Sequence, residues 1–292
     1  MKILVGIPAF NEEKNIAPLI TKIAQVGYQV LVCDDASTDS TAMIAEKMGA
    51  IVIRHPRNLG YGAAIQSIFN KTRELNCDAL VTIDADGQHN YQEIKDLVKP
   101  IQGDDADLVI GSRFLGKKTD MPKYRKIGIK ALTKITNVIE DLNITDSQSG
   151  FRAYSKKAIT SIFPVEDSMG VSTEILVKAS QKKLRIIEVP IVVSYEGDTS
   201  THNPASHGMS VLGTSIKLIS IKHPLAFYGI PGLFFIGLGI SFTIITLTSF
   251  SETRNIITNQ ALLAIGSLLF GLVLLVTGII LFSIISVVKE NR

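Results

Sequence analysis

The segment "DALVTIDADGQHN", residues 78–90, indicates the kind of fold that this chain adopts. An apolar run typical of a buried strand ends in two aspartates, Asp84 and Asp86, with one alanine between them. Residues two apart on a regular strand point to the same face, and a turn here would bring the two carboxylates closer to one point. Gly87 follows at once and makes such a turn easy. Polar groups at a strand end are typical of α/β sheets, which bind ligands at that edge.

The same arrangement recurs through the first 113 residues. Short apolar runs alternate with segments of helical periodicity, which predicts a parallel, doubly wound α/β sheet. The carboxyl ends of parallel strands meet at one edge, so the residues there should converge on one crevice. These are Pro8–Glu12, Asp34 and Asp35, Arg54–Asn58, Asp84–Gln88 and Gly111–Arg113.

Beyond residue 113 the alternation becomes irregular. The segment "MPKYRKIGIKALTKITNVIEDL", residues 121–142, predicts a long basic amphipathic helix, whose lysines could also be an ordinary solvated face. The segment "DSQSGFRAYS", residues 146–155, predicts a polar loop or a short pair of strands.

Two uncharged apolar runs, residues 225–250 and 261–288, close the sequence. Each exceeds the ~20 residues that a helix needs to cross the hydrocarbon core, so we predict a transmembrane hairpin rather than two buried core helices. Basic residues lie before the first run and after the second, which places both termini and residues 1–208 in the cytoplasm, as a multi-pass protein of the cell membrane. Residues 209–224 are predicted to form an interfacial amphipathic helix, or else a plain linker helix.

Composition and missing motifs exclude several classes of function. The formal net charge of +3 is too small for a nucleic-acid binder that relies on phosphate contacts. The two cysteines, Cys33 and Cys77, have no metal-ligand spacing and are expected to be reduced core thiols. No G-x-G-x-x-G follows the first strand and no Walker lysine motif is present, so phosphates must be bound in another way.

The strand ends supply candidates for that role. Asp84, Asp86 and the amide oxygen of Gln88 form an all-oxygen set that suits Mg²⁺ or Mn²⁺ bound to a diphosphate, although an aspartate here could simply cap the following helix. Asp34 and Asp35 offer acceptors to a base or ribose, or belong to a helix-capping cluster. The apolar wall beside them is formed by Pro8, Ala9 and Phe10, with Asn11 and Glu12 adjacent.

Six segments in this order and spacing resemble glycosyltransferase family 2, and more narrowly its dolichyl-phosphate and polyprenyl-phosphate sugar transferases. They are "IPAFNEE", "VCDDASTDST", "RNLGYGAAI", "TIDADGQH", "LVIGSR" and "SGFRAYS". The resemblance implies a GT-A fold and inverting transfer from a UDP- or GDP-sugar to dolichyl or polyprenyl phosphate. It implies metal binding by Asp84, Asp86 and Gln88. It also implies nucleotide binding by Pro8, Ala9, Phe10, Glu12, Asp34, Asp35, Asp84 and Ala85.

The expected nucleophile, a lipid phosphate oxygen, needs cations to hold it more than it needs a strong base. Arg113 and Arg125 are the main candidates, with Lys123, Lys126 and Lys130 behind them. Arg152 could contact the sugar or phosphate, or pair with a nearby carboxylate, and Glu174 could bind sugar hydroxyls or cap its helix.

Some expectations stay open at this point. The family group usually carries an arginine and a G-x-S-K after the last strand, where this chain has "SYEGDTSTHNPASHG". His202 and His207 could replace those basic residues or simply face solvent. Other functions considered are extension of a lipid-linked oligosaccharide or polysaccharide, and a non-catalytic nucleotide-sugar-binding membrane scaffold. A homo-oligomer is possible.

Overall fold

The computed structural model describes residues 1–116 and 121–194, and after them residues 213, 216, 219–221 and 223–290. The chain separates into two compact units, Met1–Ser215 and Ile216–Arg292. The predicted interfacial helix over residues 209–224 lies mostly outside the described residues.

The first unit is built on one mixed sheet of seven strands, in the order β3-β2-β1-β4-β6-β5-β7. The strands are β1 (Ile3–Ala9), β2 (Gln29–Asp34), β3 (Ile51–Arg54), β4 (Ala79–Thr82), β5 (Leu108–Ser112), β6 (Arg152–Ser155) and β7 (Ile186–Pro190). The helices are α1 (Ile16–Gln25), α2 (Thr41–Lys47), α3 (Tyr61–Glu74), α4 (Ile94–Gln102), α5 (Lys123–Glu140), α6 (Lys156–Ser161) and α7 (Val171–Gln181).

The five strands predicted from residues 1–113 point in one direction, as expected, but one later strand runs the opposite way. β6 lies between β4 and β5 and runs antiparallel to both. Its start, at Arg152, therefore lies at the edge where the parallel strands end, since Thr82 of β4 pairs with Arg152. The loop that precedes β6 is thereby delivered to the predicted crevice.

Apolar side chains fill both faces of the sheet, as the nearly continuous apolar strands require. On one face Val5, Val32 and Val81 pack with residues of α1 and α4. On the other face Leu4 and Leu31 pack with residues of α3 and α7. Two covered faces leave the strand ends as the place where polar side chains gather.

The second unit contains α8 (Ile230–Thr253), preceded by a π-helical turn at Leu225–Gly229, and α9 (Thr258–Glu290). Both helices are long and apolar enough to cross a membrane. They form a hairpin in which Gly232 and Gly271 face each other so closely that a Cβ on either would lie within 3 Å of the other's carbonyl oxygen. Small residues at such a seam allow the backbones of two apolar helices to approach.

Candidate active site

The strand ends meet as predicted at one edge of the sheet. Ala9 pairs with Asp34 at the end of β1 and β2, and Asp34 pairs with Arg54 at the end of β3. Asp84 follows β4 by two residues, and the amide of Ile83 still donates to the carbonyl of Gly6 over 3.1 Å. The carboxylates predicted from separate stretches of sequence therefore lie along one edge.

The chain turns at the Asp84–Asp86 pair. Gly87 has φ of +72°, and Asp86 Oδ1 accepts a hydrogen bond from the amide of Gln88 over 3.0 Å. Asp84 Oδ1 accepts from the hydroxyl of Tyr61 over 3.1 Å, and its Oδ2 lies 3.8 Å from Nε2 of His89. The turn thus replaces the regular alternation of the strand and fixes the first carboxylate between an aromatic hydroxyl and an imidazole.

The two carboxylates have different proton affinities. Burial, together with the negative charge of Asp84, raises the pKa of Asp86 to about 6. Burial also acts to raise the pKa of Asp84, but the nearby imidazole of His89 and the hydrogen bond from Tyr61 outweigh it, and the net effect lowers that pKa. Two such carboxylates repel each other, and a divalent cation is the partner that offsets the repulsion.

Asp84 and Asp86 fit Mg²⁺ or Mn²⁺ in chemistry, since both ions prefer oxygen ligands and leave part of their shell to water and phosphate. Among the described residues no three His, Cys, Asp or Glu side chains lie together as a complete metal site. Two carboxylates and an amide, with further ligands from a substrate, are what the described residues of this turn offer. Gln88 also ties the turn to the end of the domain, because its carbonyl accepts from the amide of Ser194 over 3.0 Å.

Asp34 and Asp35 are adjacent in sequence but differ in surroundings. Asp35 is buried, binds Nδ1 of His55 over 2.7 Å and accepts from the amides of Leu59 and Gly60, each over 2.8 Å. These contacts indicate that Asp35 has a structural role, which is to hold the loop after β3 in place. Asp34 is covered by the side chain of Arg54, whose Nε lies 3.4 Å from Oδ2 and which is 61% exposed.

The segment after β1 is held to the start of α2. Asn11 has φ of +57°, and its amide donates to Oγ of Ser37 over 2.9 Å. The amide of Glu12 donates to Oγ1 of Thr41 over 2.8 Å. Pro8 and Ala9 are buried and Phe10 is half-buried, so the predicted apolar wall lies at the mouth of the strand edge next to Asp34.

Arg113 follows β5 and forms a two-pronged ion pair. Its Nε and Nη2 bind the two carboxylate oxygens of Asp146 over 2.6 and 2.7 Å, and both side chains are largely buried. The amides of Thr145 and Asp146 donate in turn to the carboxylate of Glu188 on β7, over 2.8 and 2.9 Å. Arg113 is therefore held rigidly at the strand edge by residues from two other parts of the chain.

Arg152 and Glu174 have structural contacts that differ from the alternatives stated above, because Arg152 binds backbone carbonyls rather than a carboxylate, and Glu174 binds the amides of a loop rather than capping its own helix. The guanidinium of Arg152 is buried and donates to the backbone carbonyls of Ser147, Ser149 and Ser172. Glu174 is buried, accepts from the amides of Val165 and Glu166, and pairs with Lys178 over 2.8 Å. The first side chain supports the loop before β6, and the second anchors the loop before α7.

The glycines of "RNLGYGAAI" bind a protein loop. The amides of Gly62 and Ala63, at the start of α3, donate to the carbonyl of Asp167 over 2.9 and 3.2 Å. A Cβ on Gly62 would lie 2.0 Å from the carbonyl oxygen of Glu166. The glycines of this motif therefore allow the start of α3 to pack closely against the loop at residues 166–168. This packing helps to place the neighbouring Tyr61 against Asp84.

Tyr61, Asp146 and Glu188 lie at this edge but are absent from the sequence-based list of site residues, and His55 entered it only as part of the Arg54–Asn58 strand end. Tyr61 and Asp146 lie inside segments quoted above, so their place in those segments could have marked them as site residues. Their partners, Asp84 and Arg113, lie in distant parts of the sequence. Arg125 lies half-buried in the first turn of α5, and Lys126 and Lys130 are exposed. The side chain of Lys123, and both His202 and His207, lie outside what the structure describes.

This sheet edge combines an acidic pair on a turn with buried aspartates beside an apolar wall. Residues 4–163 match the family model described as glycosyl transferase family 2. The chain belongs to that family.

Two relatives and one solved structure illustrate the match. UDP-N-acetylglucosamine–dolichyl-phosphate N-acetylglucosaminyltransferase of Methanococcus voltae is 35% identical over 65% of this chain and 84% of its own length. Undecaprenyl-phosphate mannosyltransferase of Micrococcus luteus is 32% identical over 65% of this chain and 83% of its own. Glucosyl-3-phosphoglycerate synthase of Mycobacterium tuberculosis, solved with Mn²⁺, UDP and phosphoglyceric acid, has a TM-score of 0.61 at 23% identity, covering 74% of this chain and 78% of that chain. The GT-A-like fold prediction is confirmed.

Proposed function

We propose that this chain is a membrane-bound, metal-dependent glycosyltransferase that moves a sugar from a nucleotide-diphosphate sugar to dolichyl or polyprenyl phosphate, with inversion. The observation that carries the proposal is the Asp84–Asp86 pair, placed by a turn at the edge of a family 2 sheet. The names of the two relatives support a lipid phosphate as the acceptor. Because those names differ in the sugar, they leave the sugar of this chain open.

The donor would bind along the ends of β1, β2 and β4. Asp34 would accept from the base or ribose, beside Pro8, Ala9 and Phe10, once the exposed Arg54 side chain had moved aside. Glu12 and Ala85 flank this position. Asp35 would act indirectly, by holding the loop after β3 through His55.

Asp84, Asp86 and Gln88 would hold the Mg²⁺ or Mn²⁺ ion against the diphosphate. Such an ion acts as a Lewis acid and offsets the charge that develops on the leaving nucleoside diphosphate. The protein's own part is to aim two carboxylates at one point, and the contacts of Tyr61 and His89 favour the ionised form of Asp84 there.

The acceptor phosphate would be held by Arg113 and Arg125. A phosphate monoester has a second pKa of about 6 and is mostly a dianion near neutral pH, so attack on the anomeric carbon needs alignment more than a base. Glu174 is already bound to two backbone amides and Lys178, which fits a reaction without a carboxylate base. A hydroxyl acceptor, as in extension of an oligosaccharide, would need that base and is therefore the weaker alternative.

The apolar hairpin would keep the catalytic unit at the surface of the membrane that holds the acceptor's lipid tail. Residues 1–208 and both termini would be cytoplasmic, because basic residues flank the hairpin at its ends while its short loop carries only Arg254. A single cysteine introduced at Asn255 should then react with an impermeant reagent added outside intact cells, and protection there would contradict this orientation.

The activity is tested by incubating membranes that contain the full chain with labelled UDP- and GDP-sugars and polyprenyl phosphate. We expect one labelled glycolipid that needs Mn²⁺ or Mg²⁺ and is lost with EDTA. Asp86→Asn should lower the rate by about 10²–10³, by analogy with loss of one transition-state-stabilising group. The control is Asp104→Asn, since that carboxylate is 92% exposed and far from this turn in sequence.

Binding of Mn²⁺, followed by electron paramagnetic resonance, gives a second readout for the same two variants. Glycolipid that still forms in EDTA, or with Asp86→Asn at an unchanged rate, would contradict the metal mechanism. The absence of glycolipid from every donor, while UDP-sugar still binds, would favour the non-catalytic scaffold.

A further inference from the structure

His89 directly follows the turn that carries Asp84 and Asp86, and its side chain is only 7% exposed. Its ring centre lies 5.0 Å from that of Phe151, in the loop before β6, and the two ring planes make an angle of 47°. Its backbone pairs with Val193 in an antiparallel bridge. The imidazole is therefore held by three parts of the chain that lie far apart in sequence.

The two ring nitrogens of His89 have different surroundings. Nε2 lies 3.8 Å from Oδ2 of Asp84, an ion-pair distance that a shift of about 1 Å would shorten to a hydrogen bond. Nδ1 is buried, and the described part of the chain offers it no hydrogen-bond partner. Because a buried N–H group needs an acceptor, these neighbours assign a hydrogen to Nε2, in the neutral ring as well as in the charged one.

The carboxylate of Asp84 is enclosed on three sides. Its Oδ1 accepts from the hydroxyl of Tyr61 over 3.1 Å, and its Oδ2 faces His89. The backbone of Gly150 lies so close that a Cβ there would be 2.9 Å from either carboxylate oxygen. The Asp84 side chain is still 32% exposed, so its surroundings limit its rotation and leave one side open to a ligand.

Packing alone does not explain an imidazole at position 89. A phenyl ring has a similar outline and would fill the space beside Phe151. It would, however, turn a C–H edge toward Asp84, whose charge is already opposed by the negative charge of Asp86. What the imidazole adds is an N–H group directed at one carboxylate oxygen.

We propose that His89 is a positioning residue for the metal turn: its Nε2–H group holds Oδ2 of Asp84 while Tyr61 holds Oδ1, which fixes this carboxylate for a divalent cation. The inference rests on the proposed function, in which Asp84 binds that cation, and it separates the contact of one nitrogen from the packing of the ring. Groups that orient metal ligands typically contribute about 10–100-fold to metal affinity, so loss of Nε2 should weaken Mn²⁺ binding by a factor in that range.

Three substitutions of His89 separate the nitrogen from the ring. His89→Gln places an amide N–H near the position of Nε2, His89→Asn places one near Nδ1, and His89→Phe keeps an aromatic ring without any N–H. His89→Asn is the matched control for His89→Gln, because the two amides differ mainly in reach. For the full chain in a non-ionic detergent, electron paramagnetic resonance measures the affinity for Mn²⁺, and urea unfolding without metal measures the packing.

We expect the two measurements to rank the variants in opposite orders. His89→Gln should keep the affinity for Mn²⁺ within about threefold, whereas His89→Asn and His89→Phe should lose about 10–100-fold. The unfolding midpoint should instead be best preserved by His89→Phe, which keeps the ring beside Phe151. For His89→Phe the apparent KM for Mn²⁺ should rise by the same factor as the affinity falls, while kcat at saturating Mn²⁺ changes by less than about tenfold.

Three results would overturn the inference. Mn²⁺ affinity that follows the unfolding midpoint, with His89→Phe close to the unchanged chain, would assign His89 to packing and leave the proposed function standing. An equal loss in all three variants, with a nitrogen coupling in the electron spin echo of bound Mn²⁺ that His89→Phe removes, would make His89 a metal ligand instead. An unchanged chain that neither binds Mn²⁺ nor forms glycolipid would refute the proposed function and this inference with it.

Discussion

Replacing Asp146 with alanine should destabilise the first unit far more than replacing any exposed partner of an arginine. Asp146 is fully buried and Arg113 is 13% exposed. The substitution removes two charge-assisted hydrogen bonds, at 2.6 and 2.7 Å, from a largely buried guanidinium. Such bonds contribute about 1.5–3 kcal/mol each, and removing one partner of a buried pair costs about 3–5 kcal/mol. We therefore expect a loss of about 3–5 kcal/mol.

The chain offers a matched control in Asp104→Ala. Asp104 also pairs with an arginine, Arg185, over 2.7 Å, but it is 92% exposed, so its loss should cost less than about 1 kcal/mol. Pulse proteolysis of the full chain in detergent with increasing urea measures both. With an m-value of about 2 kcal/mol/M, Asp146→Ala should lower the midpoint by about 2 M. A difference between the two variants below about 1 kcal/mol would refute the view that this pair secures the loop before β6.

Three further predictions concern other parts of the first unit. A hydrogen bond from Arg185 lowers the pKa of Asp107 to about 2, so the stability that ionised Asp107 contributes should be complete above about pH 4 and lost as the pH falls toward 2. Because Arg185 is partly exposed, this contribution should be about 1–2 kcal/mol, and Asp107→Asn should make the urea midpoint nearly independent of pH across that range. Gly62→Ala should lower the free energy of unfolding by more than about 2 kcal/mol, because the new Cβ would lie 2.0 Å from a loop carbonyl oxygen. Gly128→Ala, whose Cβ would have nothing within 4 Å, should raise it by up to about 1 kcal/mol in the same unfolding assay. Glu174→Gln should lower the unfolding midpoint yet keep kcat for a phosphate acceptor within about tenfold, and a loss near 10³ would instead identify a base.

Local patterning predicted most of the fold because the strands that make the sheet are short, apolar and bounded by turn signals. β1, β2, β4 and β5 are nearly continuous apolar runs, and the helices between them have a clear period. β6 was predicted only as an alternative to a polar loop, because it has four residues and begins with Arg152, a polar residue. Its direction depends on pairing with β4, about 70 residues earlier, which no local pattern records.

The site was predictable where one stretch of sequence carries the chemistry. The "DADGQ" turn is such a case, because the carboxylates, the glycine and the amide are contiguous. Asp35 and Glu174 were harder to interpret, because the sequence does not distinguish a carboxylate that binds a ligand from one that binds backbone amides. Their partners, the amides of residues 59–60 and 165–166, become neighbours only after the sheet has formed.

The strand order has a consequence for how the chain is made. The four strands β3-β2-β1-β4 all come from residues 1–82, and β6, β5 and β7 all come from later residues. A ribosome working from the N-terminus therefore completes one half of the sheet, with the Asp34 and Asp84 strand ends, before Arg113 has been synthesised. The later half cannot dock in the order of its synthesis, because β5 must wait for β6 to join it to β4. A nascent chain stalled shortly after residue 113 would thus expose the edge of β4, which makes that interval the one in which a chaperone is most needed.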